Sequence, residues 1–252
     1  MPLYRTRALV LRIHYLSDTD KLVTFFTERF GKVKAVAKGA RRLKSRYGAA
    51  LEPLTLVSLI YFGKEHQDLF RVNQCDIAAF HGEIRDSLPH CMHALYFLEL
   101  LDSLTPEGQA DPKLFSFVLS AIQALDPARD PGLLCRLYEL RILTLLGYRP
   151  RLEECVQCQH FPAGRWVGFS YNRQGILCEK CQGQELVEVR LQAGTLQYLK
   201  KLMSLDLNHC SRIKLPRDTE PEIEQFTHRL ILARLGRELK SYPLLKQMAA
   251  VF

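Results

Sequence analysis

Two cysteine pairs constrain this chain more than any other feature. Cys155-Val156-Gln157-Cys158 and Cys178-Glu179-Lys180-Cys181 both have the C-x2-C spacing, and 19 residues separate them. Two residues between cysteines let one tight turn deliver two thiolates to the same ion, and zinc takes four such ligands in a tetrahedron. The segment between the pairs reads as a hairpin, with Trp166, Phe169 and Tyr171 on its strands and a turn at Asn172-Arg173-Gln174-Gly175. Cys155, Cys158, Cys178 and Cys181 are therefore expected to hold one structural Zn2+; the competing readings are a site that has lost its metal, or adventitious disulfides. Four thiolates leave no open coordination position, so the ion is expected to organise the fold and not to catalyse. The other cysteines, Cys75, Cys91, Cys135 and Cys210, stand alone among apolar neighbours and read as small core residues.

At 252 residues the chain is long enough for more than one core. Strand signals fill the first third, over Ala8 to Ile13, Leu22 to Thr27, Lys32 to Lys38, Leu54 to Phe62 and a short stretch around Leu69 to Val72. Five strands in so short a span point to a small barrel, and an OB-like barrel is the five-stranded design that also binds nucleic acid. After residue 80 the period changes. Leu88, Cys91, Leu95 and Leu98 mark an amphipathic helix, while Asp111-Pro112 and Asp130-Pro131 place a capping carboxylate before a first-turn proline. The helix after Pro131 is apolar on most sides until Gly147 and is expected near the centre of a bundle. Helical periodicity resumes after the cysteines, over Leu196 to Leu205 and from Pro221 to Leu239, with Phe226, Leu230 and Ala233 on one face. The expected architecture is α+β and multidomain: an OB-like β-barrel over residues 1–80 and a helical bundle over 81–150 and 186–252. A four-cysteine zinc hairpin at 151–185 interrupts that bundle.

The net charge of +8 is placed unevenly. Residues 1–80 hold 14 basic and 7 acidic side chains, against 21 and 20 in the remainder. From Arg29 to Arg46 there are eight basic residues, and no acidic residue interrupts them. A merely soluble face usually mixes signs. Alternation in a strand puts Lys32, Lys34 and Lys38 on one face, spaced at about 7 Å, while Val33, Ala35 and Ala37 point inward. Arg41, Arg42, Lys44 and Arg46 extend the positive field into a loop, and these seven are the candidate nucleic-acid contacts. Arg5, Arg7 and Arg12 would widen the patch, and Tyr47 beside the loop is the expected stacking platform for unpaired bases. Phe25, Phe26, Phe30 and Phe62 read as core.

The beginning of the chain interrupts every apolar run with arginine, so no secretory signal is expected, and no segment has the length of a membrane span. A cytoplasmic protein without membrane contact is expected. No phosphate-binding G-x-x-x-x-G-K-[ST] loop, H-E-x-x-H or G-x-S-x-G occurs, which argues against ATP-driven or hydrolytic chemistry. His90 and His93 read as surface or capping residues. Arg136, Arg141, Arg229, Arg234 and Arg237 read either as a seat for an acidic peptide or as ordinary solvent-facing and intrahelical-pair residues.

Several stretches together resemble the RecO family of bacterial recombination mediator proteins. They are Ala8-Leu9-Val10-Leu11, Asp20-Lys21, Phe25-Phe26-Thr27, Gly31-Lys32, Ala37-Lys38-Gly39-Ala40-Arg41, Lys44-Ser45, Leu51 with Pro53, Leu145-Leu146-Gly147-Tyr148 with Pro150 and Leu152, and Leu239-Lys240-Ser241. The resemblance spans nearly the whole length in order and implies an OB fold, a helical domain and a zinc module without enzymatic turnover. It also implies binding to single- and double-stranded DNA, annealing of complementary strands, and association with the nucleoid. The implied partners are RecR, the acidic C-terminal tail of single-stranded-DNA-binding protein and, indirectly, RecA, which is loaded onto DNA coated by that protein. Two positions depart from the family pattern: Gln159 stands where a glycine often follows the second cysteine, and Gln174-Gly175 where a glycine pair is common. The competing reading is an RNA-binding or transcription-associated zinc-ribbon and OB protein.

Overall fold

A computed structural model of the chain describes residues 2–64, 69–128, 130–162, 164–183, 187–205, 207, 216 and 219–249. In chain order its strands and helices are β1 (Leu3–Tyr15), β2 (Lys21–Thr27), β3 (Gly31–Ala37), a 3-10 turn (Gly48–Leu51), β4 (Leu56–Phe62), β5 (Phe70–Ala79), α1 (Gly82–Asp86), α2 (Leu88–Leu104), α3 (Pro112–Gln123) and α4 (Gly132–Leu145). They continue with β6 (Trp166–Ser170), β7 (Gly175–Leu177), α5 (Glu179–Gln182), β8 (Val189–Gln192), α6 (Ala193–Ser204), α7 (Thr219–Leu235) and α8 (Ser241–Ala249). They form two compact units, one from the chain up to Ala128 with the segment from Leu239 on, the other from Arg129–Glu238. This division does not follow boundaries at residues 80, 150 and 185. It groups α1, α2, α3 and α8 with the sheet and α4 with the cysteine-bearing segment.

In the first unit the strand order is β1-β2-β3-β5-β4, and β4 pairs back onto β1 so that the sheet closes on itself. All pairings are antiparallel except a short parallel seam, Ala35 with Phe70 and Val36 with Arg71. Alternation works as expected on β3: Val33, Ala35 and Ala37 join Val10, Phe25, Leu59 and Tyr61 in the interior. Tyr47 and Leu51 belong to the same interior, and the Tyr47 hydroxyl donates to the Val72 carbonyl at 3.3 Å. The expected stacking platform is thus a core side chain. Strand β5 runs well past Val72, because a register shift opposite Ile60 and Tyr61 inserts Asn73 and breaks the period-two pattern that would have marked it.

The outer side of β2 and β3 is covered by helices. Phe26 meets Phe115 of α3 with ring centroids 6.0 Å apart. The Asp102 carboxylate of α2 takes Lys32 at 3.0 Å and Arg12 at 2.6 Å, and the Lys32 ammonium also donates to the Asp102 carbonyl at 2.5 Å. Gly31 is compulsory there: it has φ +66°, and a Cβ would lie 2.1 Å from the Gln109 carbonyl oxygen. Helix α2 buries Ala94, Tyr96, Phe97, Leu98, Leu100 and Leu101, whereas Leu88 and Leu95 of the expected stripe are exposed. Its partners explain the shift, since α1, β1 and α8 all pack against it. Helix α7 ends at Leu235, short of the expected Leu239, and α8 follows as a separate helix. Gly236 turns left-handed at φ +66°, and Glu99 of α2 accepts from the Lys240 and Ser241 amides at 2.9 and 2.8 Å.

In the second unit α4 is buried along most of its length, as expected of a bundle centre. Gly147 (φ +85°) ends it, with the Tyr148 amide donating to Leu143 at 2.7 Å and the Gly147 amide to Thr144 at 3.1 Å. Of the two expected caps, Asp111 heads α3 and accepts from the Leu114 amide at 2.9 Å; α4 starts one residue later than expected, with Pro131 at its N-cap position, and Asp130 accepts from the Gly132 amide at 3.0 Å in the turn before it. On α7 the buried face is Ile223, Phe226, Thr227, Leu230 and Ile231, and Ala233 lies off it. A three-stranded sheet of order β7-β6-β8 packs onto α7 through Phe169, edge-on to Phe226 at 4.8 Å. Among the described residues no helix is long and apolar enough to cross a membrane.

Removing one partner from a nearly buried ion pair leaves the other charge desolvated. Asp102→Ala is therefore expected to destabilise the first unit by about 3 kcal/mol in urea unfolding. Lys32→Met combined with Asp102→Leu should recover most of that loss.

Candidate metal centre and nucleic-acid interface

The two cysteine pairs meet because the backbone zips them together. The Val156 amide donates to Ile176 at 2.9 Å, Ile176 to Arg151 at 3.0 Å, and Arg151 to Gln174 at 2.8 Å, so the first pair lies along β7, which runs directly into Cys178. Gly175 permits this approach: a Cβ there would lie 2.1 Å from Val156 Cγ1. Each pair is closed by its own turn, with Gln159 donating to Cys155 at 2.8 Å and Cys181 to Cys178 at 3.0 Å. The four Sγ atoms of Cys155, Cys158, Cys178 and Cys181 all lie within 4.8 Å of one another, and Cys158 and Cys178 are 3.5 Å apart. Four thiolates about 2.3 Å from a tetrahedral ion would be about 3.8 Å apart, so the spacing suits a four-coordinate metal.

The electrostatics suit it too. At Cys155 burial favours the thiol, but hydrogen bonds from the backbone of Cys178, Cys158 and Gln157 outweigh it and hold the pKa down to about 6. Cys181 is pushed up to about 12 by burial and then by the neighbouring thiols of Cys178, Cys158 and Cys155. Sulfurs this close cannot all ionise beside one another, and a cation at their centre removes the conflict. Cys75 and Cys135 are buried thiols whose pKa burial raises to about 12, in keeping with core residues, and Cys91 is half-buried. Cys210 lies outside the described residues.

The candidate cations divide into two groups. Lys32 is 9% exposed and held by Asp102, and Lys34 is paired with Glu107. Lys32 and Lys34 do share a face, which meets the acids of α2 and the loop after it; Lys32 is buried there, whereas Lys34 stays part-exposed in its pair with Glu107. Arg7 and Arg12 are likewise committed, to Glu28 and Asp102, both at 2.6 Å. Lys38, Arg41, Arg42, Lys44 and Arg46 are exposed. Their loop is tied to the β1–β2 turn by Asp20, which accepts from the Gly39 amide at 2.8 Å. That bond, then the Thr19 hydroxyl and the charges of Lys38 and Arg42, lower the Asp20 pKa against the cost of desolvation. Arg41 completes the tie, its amide donating to Thr19 at 3.0 Å and its guanidinium to Ser17 at 2.7 Å. The charge pattern alone gives no sign of this role for Asp20, although Asp20-Lys21 is part of the family resemblance.

Four of the arginines considered for an acidic peptide have partners within the second unit. Arg136 is buried against Glu139 at 3.2 Å, Arg141 donates to Met203, Arg229 to Glu188, and Arg234 to the Tyr148 hydroxyl.

Two family models match in tandem: "Recombination protein O N terminal" over residues 1–81 and "Recombination protein O C terminal" over 85–243. The chain belongs to the RecO family. It is 33% identical to the DNA repair protein RecO of Symbiobacterium thermophilum over 244 residues, which is 96% of both chains. It is 32% identical to that of Pelotomaculum thermopropionicum over 245 residues, covering 97% of this chain and 94% of the relative. Against that of Thermoanaerobacter sp. it is 30% identical over 242 residues, 96% of both. RecO membership places it among DNA-repair recombination mediators. The two departures from the RecO glycine pattern also find their meaning here: Gln159 has φ +61° and Gln174 φ +52°, both left-handed. A side chain in that region costs roughly 1–2 kcal/mol, which glycine avoids at some entropic cost of its own. Gln159→Gly and Gln174→Gly are each expected to stabilise the cysteine module by up to about 1 kcal/mol, read as slower amide exchange over residues 155–181.

Proposed function

We propose that this chain is a non-enzymatic DNA-binding recombination mediator whose closed N-terminal sheet is an OB-like barrel. The loop cations Lys38, Arg41, Arg42, Lys44 and Arg46 are its DNA surface. The observation behind this is the loop itself: five exposed cations in nine residues, tethered by Asp20 and held clear of the acids that neutralise Lys32 and Lys34. A fixed positive surface binds single- and double-stranded DNA through phosphates and lowers the repulsion between two backbones, so complementary strands anneal while held nearby. No catalytic residue is needed. In the cytoplasm, at the nucleoid, the protein works with RecR to load RecA onto DNA coated by single-stranded-DNA-binding protein, whose acidic tail it contacts. Cys155, Cys158, Cys178 and Cys181 hold one structural Zn2+, supported by their all-thiol donor set and spacing. Such a site supplies on the order of 10 kcal/mol of folding free energy to a small unit, and four protein ligands close it to water.

The zinc assignment expects one equivalent of zinc in freshly purified protein. A strong chelator, or Cys158→Ser, should speed amide exchange over residues 151–183. Protein purified without stoichiometric metal would overturn it.

For the loop, neutralising about five phosphates of a single strand gives a slope of log affinity against log salt near −3.5. Lys38→Ala with Arg41→Ala and Arg42→Ala should reduce that slope by about 2, weaken binding to all sequences alike, and slow annealing of strands coated by single-stranded-DNA-binding protein. Binding and annealing unchanged in this variant would remove the loop from its role.

A further inference from the structure

We propose that the face where the β1–β2 turn meets the basic loop holds the unpaired bases of single-stranded DNA, with Tyr15 as the stacking surface and the groove beside Leu16 as a base subsite. This rests on the polyanion reading above and adds to it a subsite that only strands with free bases can fill. Tyr15 is 69% exposed, and the Arg41 guanidinium lies over its ring at 4.4 Å. Arg41 is itself pinned to the Ser17 and Thr19 carbonyls, so the Tyr15–Arg41 pair is a positioned stack. Leu16 follows at 51% exposure and lines a groove of about 450 Å³. Val36, Phe62, Leu69 and Phe70 continue its apolar lining, and Lys38 and Arg71 supply its cations. Asp20 also lines it, but its carboxylate is occupied by the Gly39 amide and the Thr19 hydroxyl. At the tip of the basic loop Leu43 is fully exposed between Arg42 and Lys44.

A surface that gripped phosphates alone would need the cations and not the apolar floor. Tyr15, Leu16, Leu43 and Leu69 in water are a cost that burial under a ligand removes. Apolar and aromatic groups between cations match a strand that turns its π faces to the protein and its phosphates to the rim. A duplex keeps those faces stacked on one another and cannot fill the groove. The groove volume also falls within the range of about 300–1,000 Å³ that encloses small ring ligands.

The test uses the full chain and two probes of equal length and charge: single-stranded oligothymidylate, and a strand carrying abasic sites in its central half. The unmodified protein should prefer the base-bearing strand by about ten-fold, the size of one or two lost stacking contacts. Tyr15→Ala should lose most of that preference while its affinity for the abasic strand and its salt slope stay the same. Tyr15→Phe should retain the preference. As a readout independent of affinity, the emission of a Tyr15→Trp variant should be quenched by oligothymidylate and not by the abasic strand. Equal preference in Tyr15→Ala and the unmodified protein, or no preference in the latter, would overturn the base subsite while leaving the polyanion reading standing. Binding of neither probe at low salt would overturn both.

Discussion

The Asp102 carboxylate decides how the first unit presents its charge. It stands on α2 facing the sheet, and both Lys32 of β3 and Arg12 of β1 end on it. An ammonium brought under a helix loses its water and is tolerated only where an anion and hydrogen-bond acceptors replace it. Asp102 supplies both, through its carboxylate and its own carbonyl. Once the helix is held there, the outer face of β3 is no longer solvent surface. Glu107 takes Lys34 just beyond, and the next cation along the chain, Lys38, is exposed where the strand has ended.

Between Lys38 and Arg42 the loop is held by hydrogen-bonded ties to the β1–β2 turn. The Gly39 amide is fastened to the β1–β2 turn by the Asp20 side chain, and Arg41 by its amide on the Thr19 carbonyl and its guanidinium on the Ser17 carbonyl. A loop held this way keeps its cations in water at fixed positions, which suits a surface meant for phosphates. The cysteine module follows the same principle in the second unit: amide-to-carbonyl bonds bring the two C-x2-C turns together. Phe169 against Phe226 joins β6 to α7, while the cysteines pack with Leu177 in a small cluster of their own.

Much of this was legible in the chain, and the misses have identifiable causes. Each C-x2-C pair, the cap at Asp111, the stop at Gly147 and the hairpin turn before Gly175 were readable, because each depends on residues within a few positions of one another. Strand β5 was cut short because a bulge at Asn73 defeats a two-residue period. Strand β8, which no sequence signal marked, exists because β6 offers it an edge. On α2 the expected stripe holds at Leu98 and fails at Leu88 and Leu95, because that helix is packed by several neighbours and not by one.

By itself the sequence determined the local chemistry: which four sulfurs meet, where helices begin and stop, and that the first third of the chain is positive. These follow from covalent spacing and from the sign of side-chain charge, neither of which needs a partner. Only the tertiary structure decided that Lys32 and Lys34 are paired with Asp102 and Glu107, that Tyr47 is core and Tyr15 surface, and that the last helix returns to the first unit. Those outcomes depend on what comes to lie against a side chain from far away in the sequence, and no periodicity within a strand or loop encodes its neighbour.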